Sequence, residues 1–119
     1  MVRVKHEADS IRTTAAGLNG TLGPLLTGAL AGNPTRRISL EWVEKDGPLP
    51  NDYEAARMIL AHKVFCLISR AEGPDLARLW FIGGNPWLGD ETPVTAIREG
   101  RFDQVSGAAT ALIDGTFSS

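Results

Sequence analysis

The amino-acid sequence predicts an all-α fold: a compact bundle of about six helices, with a degenerate helix-turn-helix N-terminal half packed with a helical C-terminal half. Three observations carry that expectation. Apolar residues recur every three or four positions in successive segments. Glycine and proline clusters fall where helices would stop and start. No segment alternates apolar and polar side chains without also offering a helical face.

Residues 1–16 are polar, carry a charge of either sign every few positions and show little periodicity, so a flexible arm or a partly ordered first turn is expected there. In LNGTLGPLLTGALAGNP, residues Leu22, Leu25, Leu26, Ala29 and Leu30 fall at helical spacing, and Gly32-Asn33 closes that short amphipathic helix. Pro34 opens TRRISLEWVEK, where Ile38, Leu40 and Trp42 alternate while Ile38 and Trp42 also share one helical face. The cluster DGPLPND, residues 46–52, is a loop. A longer helix begins at Asn51/Asp52. Its stripe of Tyr53, Ala56, Leu60, Val64 and Leu67, widened by Ile59 and Phe65, predicts a helix central to the core.

Gly73-Pro74 ends that helix and starts PDLARLWFI, with proline at its favoured first position. Gly83, Gly84, Asn85 and Pro86 turn the chain, and Thr92-Pro93 caps a short helix that Gly100 stops. A last helix runs from near Phe102 to Ile113, with Phe102, Val105, Ala109 and Leu112 on one side and Asp103 suited to the positive end of the helix dipole. Gly115 ends it and leaves the tail TFSS. The expected divisions are an arm over 1–16, a helix-turn-helix-like region over 17–50 and a helical partner-binding domain with a short tail over 51–119.

Length and composition fit one domain, or two small subdomains sharing a core, of an ordinary globular protein: 119 residues, 43% hydrophobic and 22% charged. The single cysteine excludes an internal disulfide framework and is compatible with a reducing location. No apolar run has signal-peptide or membrane-spanning character, so a cytoplasmic protein with no membrane partner is expected. The net charge of −2 is unevenly spread. Residues 1–70 hold nine Lys/Arg against seven Asp/Glu, and residues 71–119 hold three against seven. A phosphate backbone repels the acidic end, so any nucleic-acid contact falls to the N-terminal half. The acidic end suits a protein partner with a basic surface.

Little in the chain points to catalysis. His6 and His62 lie far apart and Cys66 is alone, so no metal site and no cofactor are expected. His62 and Cys66 are four residues apart, as a Cys-His nucleophile pair could be, but the surrounding helix is apolar and offers nothing to orient the imidazole. No phosphate loop and no Gly-x-Ser-x-Gly is present. No catalytic residues are therefore assigned, and the chain reads as a non-enzyme.

Binding is better represented. From Leu25 to Trp42 the order helix, glycine turn, helix, aromatic outlines a helix-turn-helix, with Arg36, Arg37 and Ser39 as its candidate DNA contacts. Ser39 stands where a buried β-branched residue is usual, and Glu41 and Glu44 add negative charge. Trp87 reads two ways: folded over the core against Trp80 and Phe81, or anchoring a partner. Phe117, just past a helix stop, either tucks back or inserts elsewhere.

Taken in order, EWVEKDGPLP, ARMILAHKVFCLI and LARLWFIGGNPWLGDETPVTAIREGRFDQV resemble the Xre/MbcA/ParS family of antitoxins from bacterial type II toxin–antitoxin modules. The family pattern falls on Asn85, Pro86, Leu88, Gly89, Pro93, Gly100 and Val105, and the resemblance runs from near residue 20 to residue 117. It implies an all-helical protein that acts as an oligomer and pairs with a cognate RES-domain toxin, one that degrades or phosphorolyses NAD. It implies neutralisation by covering the toxin's active-site entrance. Asn85, Pro86, Trp87 and Leu88 would form or brace the toxin-facing surface, and Gly115, Thr116 and Phe117 would plug the site. It further implies repression of the antitoxin's own operon through operator DNA. A solitary helix-turn-helix regulator, and a structural adaptor with some other partner, are the competing readings.

Overall fold

The computed structural model describes the backbone over residues 2–115 and side chains from Glu7 onward. All regular structure among these residues is helical: α1 (Val2–Thr21), α2 (Pro24–Ala31), α3 (Arg36–Glu41), α4 (Asp52–Glu72), α5 (Pro74–Ile82), α6 (Pro93–Arg98) and α7 (Phe102–Ile113). A single 3-10 turn, Pro86–Leu88, lies between α5 and α6. The all-α expectation holds. The chain divides into two units, residues 1–62 and 63–119, and α4 runs through the division.

In the first unit, the stretch expected to be an irregular arm over 1–16 is instead helix from Val2. The reason is a thin apolar stripe, Ile11, Ala15 and Leu18, continued by Leu22 just past the helix end, all buried at successive four-, three- and four-residue steps amid polar neighbours. The same helix extends Arg12 to the loop that follows α3. Its guanidinium donates to the Trp42 carbonyl at 2.9 Å and to the Gly47 carbonyl at 2.8 Å.

α2 packs on both α1 and α3. It ends at Gly32 in the left-handed region, φ 97°, as the glycine signal predicted. Gly28 is needed for a different reason. A Cβ there would lie 2.5 Å from the Asn33 carbonyl oxygen and 2.9 Å from that of Thr35, so the chain entering α3 passes directly over it.

α4 begins with a reciprocal cap. The Asn51 side-chain oxygen accepts from the Glu54 backbone N–H, and the Glu54 carboxylate accepts from the Asn51 N–H, each at 2.8 Å. The other carboxylate oxygen of Glu54 accepts from the Asn33 side-chain amide at 3.2 Å, tying this helix start to the turn after α2. The buried face of α4 is rotated from the expected stripe. Met58 and Ala61 are buried in this unit, whereas Ala56 is exposed and Tyr53, 76% exposed, lies beneath the Arg57 guanidinium.

In the second unit, α4 continues with Val64, Phe65 and Ile68 buried and Leu67 exposed. Ala77 and Phe81 are the buried residues of α5, and the Phe81 ring is tilted against Phe65 at 6.0 Å and edge-on to Trp80 at 5.2 Å. α6 lies against α5 and α7, and the 3-10 turn lies against α7. Val105, Ala108, Ala109 and Ala111 are buried along α7, with alanines that let neighbouring backbones approach closely.

Candidate partner-binding site

The stretch NPWLGDETP is built around one asparagine. Asn85 is buried, and its backbone N–H donates to the Glu91 carbonyl at 3.1 Å. Its carbonyl accepts from both Leu88 and Asp90 N–H groups at 2.9 Å, and its side-chain oxygen accepts from the Trp87 N–H at 2.9 Å. An asparagine does this because its short amide mimics a backbone carbonyl and closes a tight turn. Gly89 and Asp90 then both adopt left-handed conformations, at φ 66° and 70°, and carry the chain back beside its entry point.

Two further contacts fix the turn. Leu88 is fully buried, and its carbonyl accepts from the Arg101 guanidinium at 3.1 Å. Arg101 also bonds Gln104 at 2.6 Å and Glu99 at 3.3 Å, so one side chain braces the turn from the start of α7. The Thr92 hydroxyl accepts from the Thr95 N–H at 3.1 Å and starts α6, with Pro93 buried at the first helical position.

The residues of this turn therefore divide by direction. Asn85 and Leu88 point inward and shape it, while Pro86, Trp87, Asp90 and Glu91 lie on the surface. Trp87 is 51% exposed, so about half of its surface faces outward. Just before the turn, Leu76, Leu79 and Ile82 lie exposed at three-residue intervals along one side of α5, Leu79 at 65%. Large apolar side chains grouped this way on a surface mark binding faces more often than isolated ones do. The sequence reading did not single out this stripe. Its leucine spacing was visible, but which side of a short apolar helix faces outward depends on its neighbours. Arg101 was missed for a related reason, because its role lies in a contact thirteen residues away.

Of the tail residues proposed to plug a partner, Gly115 adopts φ 77° at the end of α7, and Thr116 and Phe117 lie outside the described residues. In the helix-turn-helix-like region, α3 is six residues long and its N-cap, Thr35, accepts from the Ile38 N–H. Arg36 and Arg37 are exposed at its start, and the Arg37 guanidinium pairs with Glu41 at 2.9 Å. Ser39 is fully buried, close to Gly28, and so lies apart from the two arginines. Its small side chain is what permits the close passage of α3 over α2. His62 lies against Gly17, where a Cβ would fall 2.9 Å from its ring nitrogen. Among the described residues, no group of three or more His, Cys, Asp or Glu could hold a metal, and no helix is long and apolar enough to cross a membrane.

No family model matches the chain, and no curated protein does. Among solved structures, a chain of the crystal structure of the M. tuberculosis MbcT-MbcA toxin-antitoxin complex matches with a TM-score of 0.67. The match covers 89% of this chain and 96% of that one at 20% sequence identity. The fold is thus all-helical and MbcA-like.

Proposed function

We propose that the chain is the antitoxin of a bacterial type II toxin–antitoxin module, acting as an oligomer in the cytoplasm without enzymatic activity or cofactor. It binds a RES-domain, NAD-degrading toxin and blocks it by obstruction. The observation that carries this reading is the outward-facing apolar set of Leu76, Leu79, Ile82 and Trp87 on the unit that also holds the acidic end of the chain. An apolar anchor with an acidic border fits a basic cleft that takes an anionic dinucleotide. The fold it shares with a chain of a toxin–antitoxin complex supports the same reading. Asn85 and Leu88 brace the toxin-facing surface from within, Pro86 and Trp87 present it, and the segment from Gly115 to Phe117 enters the toxin's active site.

Co-expression with the product of the neighbouring reading frame tests the pairing, with a stable complex at micromolar concentration as the expected result. Failure of the two chains to associate would overturn it. Deleting residues 115–119 and measuring NAD consumption by the co-expressed toxin then tests the plug, and unchanged inhibition would remove that part alone.

A second reading, operator binding with autorepression or as a solitary regulator, draws on the exposure of Arg36 and Arg37 at the start of α3. It predicts a promoter-specific shift that weakens steeply with salt and is lost in the Arg36→Ala, Arg37→Ala double variant. The Arg37–Glu41 pair and the short α3 favour the toxin-directed role as the primary one.

A further inference from the structure

One residue of the 85–91 turn has a side chain at odds with its backbone. Among the described residues, Asp90 is the single non-glycine held at positive φ, 70°. The Glu91 N–H donates to the Leu88 carbonyl at 3.3 Å, closing a four-residue turn whose central pair is Gly89, at φ 66°, and Asp90. Turns with positive φ at both central residues favour asparagine, aspartate or glycine first and glycine second. Here glycine comes first, and a residue with a Cβ takes the place that suits glycine best.

The surrounding bonds leave that backbone no alternative. The Asp90 N–H donates to the Asn85 carbonyl at 2.9 Å, and the Asn85 N–H donates to the Glu91 carbonyl at 3.1 Å. Arg101 holds the Leu88 carbonyl a second time, at 3.1 Å. A Cβ on Gly84 would lie 3.0 Å from the Asp90 carbonyl oxygen, so the two passes of chain run close together. A strained conformation persists only where its surroundings over-determine it, and such strain collects at ligand clamps. In this conformation an aspartate often gains from a local hydrogen bond made by its own side chain. Asp90 does not: it is exposed, and its carboxylate has no hydrogen-bond or ion-pair partner among the described residues. For the fold alone, glycine would serve better.

We propose that Asp90 is a specificity-determining residue of the partner-binding surface, its carboxylate pairing with an arginine or lysine side chain of the partner beside the Trp87 anchor. The assignment rests on the antitoxin reading above and gives one contact of that interface its chemistry. Asp90 lies three residues after half-exposed Trp87, on the outward side of the same turn. With its backbone locked, the short side chain has little freedom left to lose on pairing. Residues 71–119 hold seven carboxylates against three cations, so the local field also favours the approach of a basic surface.

The full-length parent, Asp90→Gly, Asp90→Asn and Glu91→Gln are unfolded in urea and titrated against the product of the neighbouring reading frame at low and high salt. Asp90→Gly is expected to raise the folding equilibrium constant by about two- to fivefold and yet weaken the complex by about tenfold or more. Asp90→Asn tolerates the same backbone and loses only the charge, so it is expected to weaken the complex comparably and flatten its salt dependence. Glu91→Gln removes the same charge one residue away and is expected to weaken it much less. A destabilised Asp90→Gly would show that the carboxylate serves the fold and overturn the proposal. So would parent-like affinity in both Asp90 variants, or an equal loss in Glu91→Gln, which would leave net charge as the whole effect. A parent chain that does not bind the product rejects the antitoxin reading and this contact with it, whereas binding that ignores the Asp90 substitutions rejects the contact alone.

Discussion

Asn85 and Gly28 do the most structural work for their size, and each does it through backbone contacts. Asn85 closes the 85–91 turn with two backbone groups and one side-chain oxygen, all while buried. Asn85→Ala keeps the backbone bonds and removes the bond to the Trp87 N–H, at an expected cost of about 1 kcal/mol, read from urea denaturation. Asn85→Asp retains the acceptor but buries a charge, and is expected to be the worse of the two in the same assay. At Gly28 two effects oppose each other. Alanine is the better helix former by roughly 1 kcal/mol, yet its methyl would press on two carbonyl oxygens, one of them at 2.5 Å. Because both are backbone atoms that cannot swing away, the clash decides the sign. Gly28→Ala is expected to lower stability by about 1–3 kcal/mol, and a variant as stable as the parent would show that α3 can move.

The helices divide sharply in how legible they were from sequence. Their ends were readable, because caps and stops are local chemistry: Gly32 after α2, Asn51 at the start of α4, Pro74 opening α5 and Thr92-Pro93 opening α6 all perform the roles their residue types suggest. Their faces were harder. α1 was missed because its buried stripe is a single residue wide at each turn and is interleaved with polar side chains, too thin to stand out. α4 is apolar around so much of its circumference that spacing alone could not fix which side is buried, and Tyr53 and Leu67 emerged exposed. The candidate site followed the same pattern. NPWLG was legible as a constrained turn, while the exposure of Trp87 and the outward stripe of α5 depend on packing between elements. The Asn51–Glu54 cap gives an element-level prediction. Asn51→Ala is expected to cost about 1 kcal/mol and to speed amide exchange in the first turn of α4, also loosening the Glu54 contact to Asn33.

For the chain as a functioning whole, stability and partner binding are expected to separate. Trp87 is half-exposed and its N–H bond belongs to the backbone, so Trp87→Ala is expected to change unfolding free energy by less than about 1 kcal/mol. If the residue anchors a partner, the same change weakens the complex by about 2 kcal/mol or more, measured by titration calorimetry against the toxin. Equal losses in both measurements would mean that Trp87 serves the fold and nothing else. The prediction follows from the inward and outward division within the 85–91 turn. Buried Asn85 and Leu88, held by Arg101 from behind, set its course, while Pro86, Trp87, Asp90 and Glu91 lie on the surface. A scaffold arranged this way can exchange its fingertip residues one at a time without risking collapse. Chains built on this scaffold are free to drift apart in their outward residues while keeping the same hand.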